Sequence, residues 1–357
     1  MATRKTSDGS VVDSYGRILY FSFDRFMSEI VQGNRCFICG VSPDVARFND
    51  EHALPDWILR RYELHSRKMH LPNATLCEYR HFKIPCCEDC NSLMGDTFEK
   101  PIREMFSSGY AAFTQELGKR GLAFLFNWLA LIFFKMHLKD RNIRLERDLR
   151  QQDLRIGEAY SWEELHHIHC ISRAFYSGAL IDPSAAGSIL VLPAKVRKHL
   201  ESFDFLDLHL PQIILLRIDE VAVLAVMNDC CAGLTVWEDR IRTVAGPLSP
   251  LQLREIAAML AFANVKLSPR PRFFSEFLDE NYRICGTKPT AISLPPFSND
   301  EYGKLLYHLS KDFLLPYASQ EVVDQVKGGK WTFLTTSDGK FARDNMELVS
   351  TDDKRLV

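Results

Sequence analysis

Three short stretches decide how this chain is read: Cys36-Phe37-Ile38-Cys39, Asn49-Asp50-Glu51-His52-Ala53-Leu54-Pro55, and Cys87-Glu88-Asp89-Cys90 with Asn91 directly after it. A two-residue spacer lets both sulfurs of a Cys-x-x-Cys knuckle face one ion. Two knuckles therefore supply the four thiolates of a tetrahedral zinc site. The competing reading is four buried free thiols, which pack as small apolar residues. Cys86 adds a third thiol beside the second knuckle; the spacing selects Cys87 and Cys90 and leaves Cys86 spare. The acidic-histidine step between the knuckles carries different chemistry. A neutral imidazole can take a proton from water near pH 7. Carboxylate and amide oxygens are hard donors suited to Mg²⁺ or Mn²⁺. The combination implies a second ion and a general base, the parts needed to hydrolyse a phosphodiester.

The chain has 357 residues, enough for a sizeable core and two domains. Its ten cysteines are few for this length and suggest thiolate-bound zinc in a reducing cytoplasm rather than a disulfide framework. The polar start, Met1 to Ser7, lacks the apolar core of a signal peptide. The most apolar run, Gly121 to Leu138, is broken by Asn127 and Lys135 and reads as a buried helix rather than a membrane span.

The formal net charge is −2, so any contact with nucleic acid must come from local basic residues. One such group, Arg60, Arg61, Arg67, Lys68, Arg80 and Lys83, surrounds the metal motifs. A second, from Lys135 to Arg155, is interleaved with acids and reads as a solvated helix face.

Along the chain, residues 21–31 suggest a short amphipathic helix and 45–54 a strand that Pro55 ends. Helices are expected over 56–64, over 91–106 with a kink at Pro101, and over 111–150. Ser161 and Glu164 suggest a capping box opening a helix that runs to Gly178. Residues 188–193 read as a strand. Residues 212–218 and 221–228 read as a hairpin turning at Asp219-Glu220. Ser249-Pro250-Leu251-Gln252 is a strong helix start. From about Gln320 the chain is polar, with a small hairpin or loose order expected.

The set Cys36-x-x-Cys39, Glu51-His52-x-x-Pro55 and Cys87-x-x-Cys90-Asn91 resembles the HNH endonuclease family, the ββα-metal nucleases. The likeness covers roughly residues 30–106. It implies an α+β chain: a zinc-stabilised, treble-clef-like ββα-metal module over 1–110, then a mixed α+β accessory domain over 111–357 that binds DNA or a partner. By resemblance His52 is the general base, and Glu51 and Asn91 hold a catalytic Mg²⁺ or Mn²⁺. Asp50 is a neighbouring competitor. Cys36, Cys39, Cys87 and Cys90 hold structural zinc. The family's middle Asn falls on Phe82 here, which leaves His81 as a possible support.

The residues after 111 carry no catalytic motif. Stretches such as WLALIFFKMHL and FDFLDLHLPQIILLRIDEVAVLAVMND are similar to C-terminal regions of HNH proteins in prokaryotic antiviral defence. The expected function is a metal-dependent DNA endonuclease or nickase, cytoplasmic, working in defence alongside other proteins of such a system and without a membrane. The alternatives are a non-catalytic zinc-finger module that binds nucleic acid or protein, and an effector silent until a partner activates it. His65 and His70 are further candidates for phosphate or metal. Adjacent His166, His167 and His169 with Cys170 point different ways along a helix and are not expected to share an ion.

Overall fold

A computed structural model describes residues 3–197, 201–278, 281–288 and 296–343. It is a mixed α+β chain whose elements divide into two compact units. The first holds residues 1–107, 120–185 and 273–286; the second holds 108–119, 186–272 and 287–357. The chain divides near the expected 110, but not only there: the units interleave, and 120–185 and 273–286 rejoin the first. The apolar run at 122–140 is core to the first unit, and a late segment returns to that unit.

The chain opens with a small antiparallel sheet of β1 (Thr3–Lys5), β2 (Val11–Asp13) and β3 (Ile18–Tyr20). Helix α1 (Phe23–Arg25) continues into a wide π-helical turn, Phe26–Val31, with Phe26, Ile30 and Val31 buried. Strand β4 (Phe48–His52) ends before Pro55, as expected, and α2 (Asp56–Arg61) follows. A hairpin of β5 (Lys68–His70) and β6 (Leu76–Glu78) leads to β7 (Lys83–Cys87), which pairs antiparallel with β4, Phe48 opposite Cys87 and His52 opposite Lys83. Helix α3 (Glu88–Met94) starts at once. A π-helical turn over Gly95–Glu99 joins it to α4 (Lys100–Ser107). Pro101, which lacks an N–H, falls in the first turn of α4, and the wide turn before it absorbs the kink.

Helix α5 (Tyr110–Arg120) is followed by α6 (Leu122–Asp140), which is apolar on all sides. By length and composition α6 is long and apolar enough to cross a membrane, but 78% of its apolar window is buried inside the fold. The helix ends at Asp140 and not near 150. Residues 141–155 instead form turns with a bridge between Arg144 and Arg155. Lys135, expected on a solvated face, is buried.

Helices α7 (Trp162–Ser172) and α8 (Ala174–Ser177) end at Gly178, whose positive φ suits glycine. Ser161 makes no capping bond there, contrary to the expected capping box. Strand β8 (Leu180–Ile181) closes this part of the chain.

Strands β9 (Ile189–Pro193), β10 (Phe203–Leu208), β11 (Ile213–Ile218) and β12 (Val221–Val226) form an antiparallel sheet in the order β10-β11-β12-β9. Every residue of β11 and β12 is buried. Their apolar runs, broken only by buried Arg217, therefore suit a sheet covered on both faces. Helix α9 (Ala232–Arg242) and the largely buried α10 (Pro250–Lys266) follow. The expected capping box of α10 is complete: Gln252 N–H donates to Ser249 Oγ at 3.3 Å, and Ser249 N–H donates to Gln252 Oε1 at 2.9 Å.

Strands β13 (Arg272–Leu278) and β14 (Asn281–Thr287) return to the first unit, where β14 pairs parallel with β8. Helices α11 (Asn299–Leu314) and α12 (Gln320–Lys327) complete the second unit. Helix α12 opens the segment from 320, and the expected small hairpin follows it, turning at Asp338-Gly339 with Thr335 bridged antiparallel to Phe341; residues 344–357 of that expectation lie outside the described residues. Buried Glu255 of α10 accepts from Thr332 Oγ1 at 2.7 Å and from the Leu334 N–H at 3.1 Å, tying down the irregular segment beyond α12. Beside it lies a cleft of about 530 Å³ lined by Trp237, Arg240, Phe297, Tyr302, Lys330 and Trp331, among others.

Candidate metal centre and polar site

The first knuckle is a tight turn closed by two backbone bonds: Gly40 N–H to Cys36 O at 2.8 Å and Cys36 N–H to Val41 O at 3.0 Å. Gly40 has φ +77°, and a Cβ there would come within 2.8 Å of the Phe21 ring, so glycine is required twice over. Helix α7 holds the knuckle from behind. His169 Nε2 lies 2.7 Å from Phe37 O, and the buried Arg173 guanidinium donates to the carbonyls of Ile38, Leu19 and Ile18. The second knuckle is set by β7 running straight into α3, which places Cys87 at the helix N-terminus and Cys90 in its first turn.

The sulfurs of Cys36, Cys39, Cys87 and Cys90 all lie within 4.8 Å of one another, close enough to hold one metal ion. The Cys39–Cys87 separation is 3.6 Å, near the roughly 3.8 Å that Zn–S bonds of about 2.3 Å give in a tetrahedron. Cys86 touches only the edge of this group, its Sγ 3.8 Å from Cys36. Without an ion only one thiolate is favoured: thiol hydrogen bonds from Cys39, Cys86 and Cys90 push Cys36 down, while contact with Cys36 pushes Cys39 and Cys90 up and burial pushes Cys87 up. The donor set fits zinc.

The expected catalytic ligands are placed differently. Side chains alternate along a strand, and here Glu51 and His52 take opposite faces of β4. Glu51 turns inward and is buried, its Oε1 2.6 Å from Lys135 Nζ of α6. The same ammonium donates to the His52 carbonyl at 2.9 Å. Asn91 is tied to Asn49, donating from Nδ2 to Oδ1 at 2.9 Å. A cation is therefore already present at Glu51 in the form of Lys135, and the pair Glu51–Asn91 does not fit a hard divalent ion. Asp50 is exposed. His81 is 70% exposed at its side chain and faces Glu78 at 3.8 Å, so it lends His52 no support. Phe82, at the family's middle position, is buried and contributes only its carbonyl, which accepts the Ala53 N–H at 3.0 Å.

The carboxylate that His52 meets is Asp56, the first residue of α2. His52 Nδ1 lies 3.7 Å from Asp56 Oδ1, and His65 Nε2 lies 2.9 Å from the same oxygen. The other Asp56 oxygen is held by Arg60 at 2.5 Å. Burial, with Lys83 opposite, holds the His52 imidazole below its usual range and so keeps it neutral near pH 7. Burial acts to raise Asp56, but the His65 hydrogen bond and the Arg60 charge outweigh it and hold the carboxyl low. Burial pushes Glu99, in the π-helical turn, up to about 7.

Asp56 and Lys135 were missed in the sequence. Asp56 is four residues from His52 across a strand end, where no periodicity links them. Lys135 had a signal: a cation inside the most apolar helix needs a counter-charge. Of the basic group near the motifs, Arg60, Arg61, Arg67, Lys68 and Arg80 are exposed, and Lys83 is half-buried. Arg60 is spent on Asp56 and Arg80 on Glu78.

The histidines of α7 take separate partners. His166 meets Phe21 O at 2.9 Å, His167 stacks on Phe273 with ring centroids 3.8 Å apart, and His169 holds the knuckle.

Comparison of the chain with protein-family models, with curated proteins and with solved structures matches none of them.

Proposed function

We propose that the chain is a zinc-scaffolded, metal-dependent endonuclease or nickase that hydrolyses DNA phosphodiester bonds in the manner of HNH nucleases. The order of β4, β7 and α3, with one knuckle on the strand-helix junction, is the strand-strand-helix order that reading requires. The carrying observation is the position of His52: at the open end of β4, neutral, and aimed at Asp56 beside His65. Its ring supplies the lone pair on which water activation rests. The exposed cations Arg67 and Lys68 are suited to phosphate oxygens. The ion pair of Glu51 with Lys135 leaves that carboxylate unsuited to hold a Mg²⁺ or Mn²⁺ together with Asn91. A bound zinc would fix the knuckles and hold the strand-helix junction in place.

The resemblance extends this reading to antiviral defence in the cytoplasm. We place the accessory binding role in the cleft of the second unit, where Arg240 and Lys330 meet Trp237 and Trp331.

The test is plasmid nicking over a divalent-metal series. His52→Ala should abolish nicking while zinc content and fold persist. Wild-type cutting by that variant would remove His52 from the chemistry. A second reading, a non-catalytic zinc-finger binding module, is favoured by one observation: the Lys135 ammonium already neutralises Glu51. On that reading the wild-type protein binds DNA and does not cut it under any metal.

A further inference from the structure

We infer that His52, Asp56 and His65 form a second metal site, separate from the four thiols and selective for a first-row transition ion over Mg²⁺. The inference rests on the nuclease reading only for its catalytic meaning; the site itself stands on geometry.

The three donor atoms all lie within 4.8 Å of one another. Metal–nitrogen and metal–oxygen bonds of about 2.0–2.2 Å put neighbouring ligands roughly 3.0 to 3.5 Å apart, depending on coordination geometry. The observed separations, 2.9 Å from Asp56 to His65 and 3.7 Å from Asp56 to His52, bracket that range. At 3.7 Å the His52 nitrogen is beyond hydrogen-bond reach of the carboxylate, so the pair leaves a gap of the kind an ion closes.

The surroundings hold the donors in place. Lys135 anchors the His52 carbonyl, and Arg60 fixes the outer oxygen of Asp56 so that Oδ1 faces both imidazoles. Lys135 also neutralises Glu51, which removes the nearest rival carboxylate. All three ligands are half-buried, so positions on the outer side of an ion stay open to water and to a phosphate oxygen.

Two imidazoles and one carboxylate suit Mn²⁺, Fe²⁺, Co²⁺ or Zn²⁺ better than Mg²⁺, which favours oxygen donors. A neutral imidazole has one lone pair to give, so with an ion bound His52 would be its ligand rather than the general base, and the ion would itself lower the pKa of its water. Two histidines with a carboxylate that leave open positions are also the donor pattern of catalytic rather than structural sites.

The experiment titrates Mn²⁺ and, separately, Mg²⁺ into protein holding one zinc per chain, any weaker zinc removed beforehand, by calorimetry, with Mn²⁺ electron paramagnetic resonance as the second readout. Thiolates select zinc over Mn²⁺, so the scaffold site stays out of the titration. Wild type should bind one equivalent of Mn²⁺ at least about tenfold more tightly than Mg²⁺. Asp56→Asn and His65→Ala should each weaken Mn²⁺ about tenfold or more, with zinc content unchanged. Both positions are partly exposed, so the variants keep the fold.

Absence of Mn²⁺ binding in the wild type, or binding unchanged in both variants, overturns the site. Nicking that survives His65→Ala while Mn²⁺ binding is unaffected does the same and leaves the nuclease reading intact. Mn²⁺ binding that follows these residues in a protein that never nicks supports the site and removes the nuclease reading.

Discussion

Lys135 and Glu51 form a buried ion pair, Nζ to Oε1 2.6 Å, with the lysine side chain only 1% exposed. The pair bridges the middle of the most apolar helix and the strand that carries His52. It explains how an ammonium is tolerated there: its charge is matched, and a second bond goes to the His52 carbonyl. The same contact places the strand end that aims His52 at Asp56.

Removing one partner should therefore cost far more than removing both. Lys135→Met leaves a buried, unpaired carboxylate and should destabilise the protein by about 3–5 kcal/mol. Glu51→Leu combined with Lys135→Met should recover most of that loss. Urea unfolding of both single variants and the double variant measures the coupling. A double variant as unstable as the sum of the singles would mean the pair does not act as a unit.

The four-thiol centre makes a discriminating prediction between adjacent residues. Cys87→Ser should lose the bound zinc and with it the strand-helix junction, whereas Cys86→Ser should keep one zinc per chain. Elemental analysis with thermal melting reads both. Zinc loss on Cys86→Ser would mean the chain uses the other thiol of the CCEDC run.

Stability should fall in mild acid because of the buried histidines. Burial lowers His166 to about 4 from its usual 6.5. Between those values the unfolded chain binds a proton that the folded chain does not, so stability is full above about pH 6.5 and declines as pH drops toward 4. For His166 alone the limit is roughly 3 kcal/mol. His167, lowered by burial to about 3, acts in the same direction. His166→Gln keeps a donor for Phe21 O and should flatten the melting temperature against pH over this window. An unaltered slope would show that His166 does not set it.

DNA binding, if it uses the exposed cations around the motifs, should be strongly salt-dependent. Arg67→Ala and Lys68→Ala should each weaken binding across sequences and reduce the slope of log K against log salt by about 1. Fluorescence anisotropy at several salt concentrations gives the slopes. Unchanged slopes in both variants would move the DNA path elsewhere.

Much of the fold was legible where a local rule acts. The Ser249–Gln252 box is complete, Pro55 stops β4, and the Asp219-Glu220 step turns a hairpin. The four thiols converge as their spacing indicates. What was not legible depends on distant partners. Nothing near Lys135 in sequence names Glu51 as its counter-ion, and nothing near His52 names His65. The acidic-histidine step was read as a metal ligand beside a general base in one pocket, yet strand alternation parts its two members and sends Glu51 to the core. Helix α12 was missed because it is polar, and because Gly328 and Gly329 end it rather than interrupt it. Ser161 looked like a cap from its spacing to Glu164, but its side chain makes no capping bond.

The late return of β14 to pair with β8 bears on how the chain can be made and cut. A ribosome releases nearly all of the second unit's sheet before β14 emerges, so the edge of β8 waits bare through most of synthesis. Any fragment ending near 110 or 185 would keep that unfinished edge, or lose α6 altogether, and with it the lysine that neutralises Glu51. Isolating the first unit therefore calls for rejoining 120–185 to 273–286, not for trimming from the C-terminus.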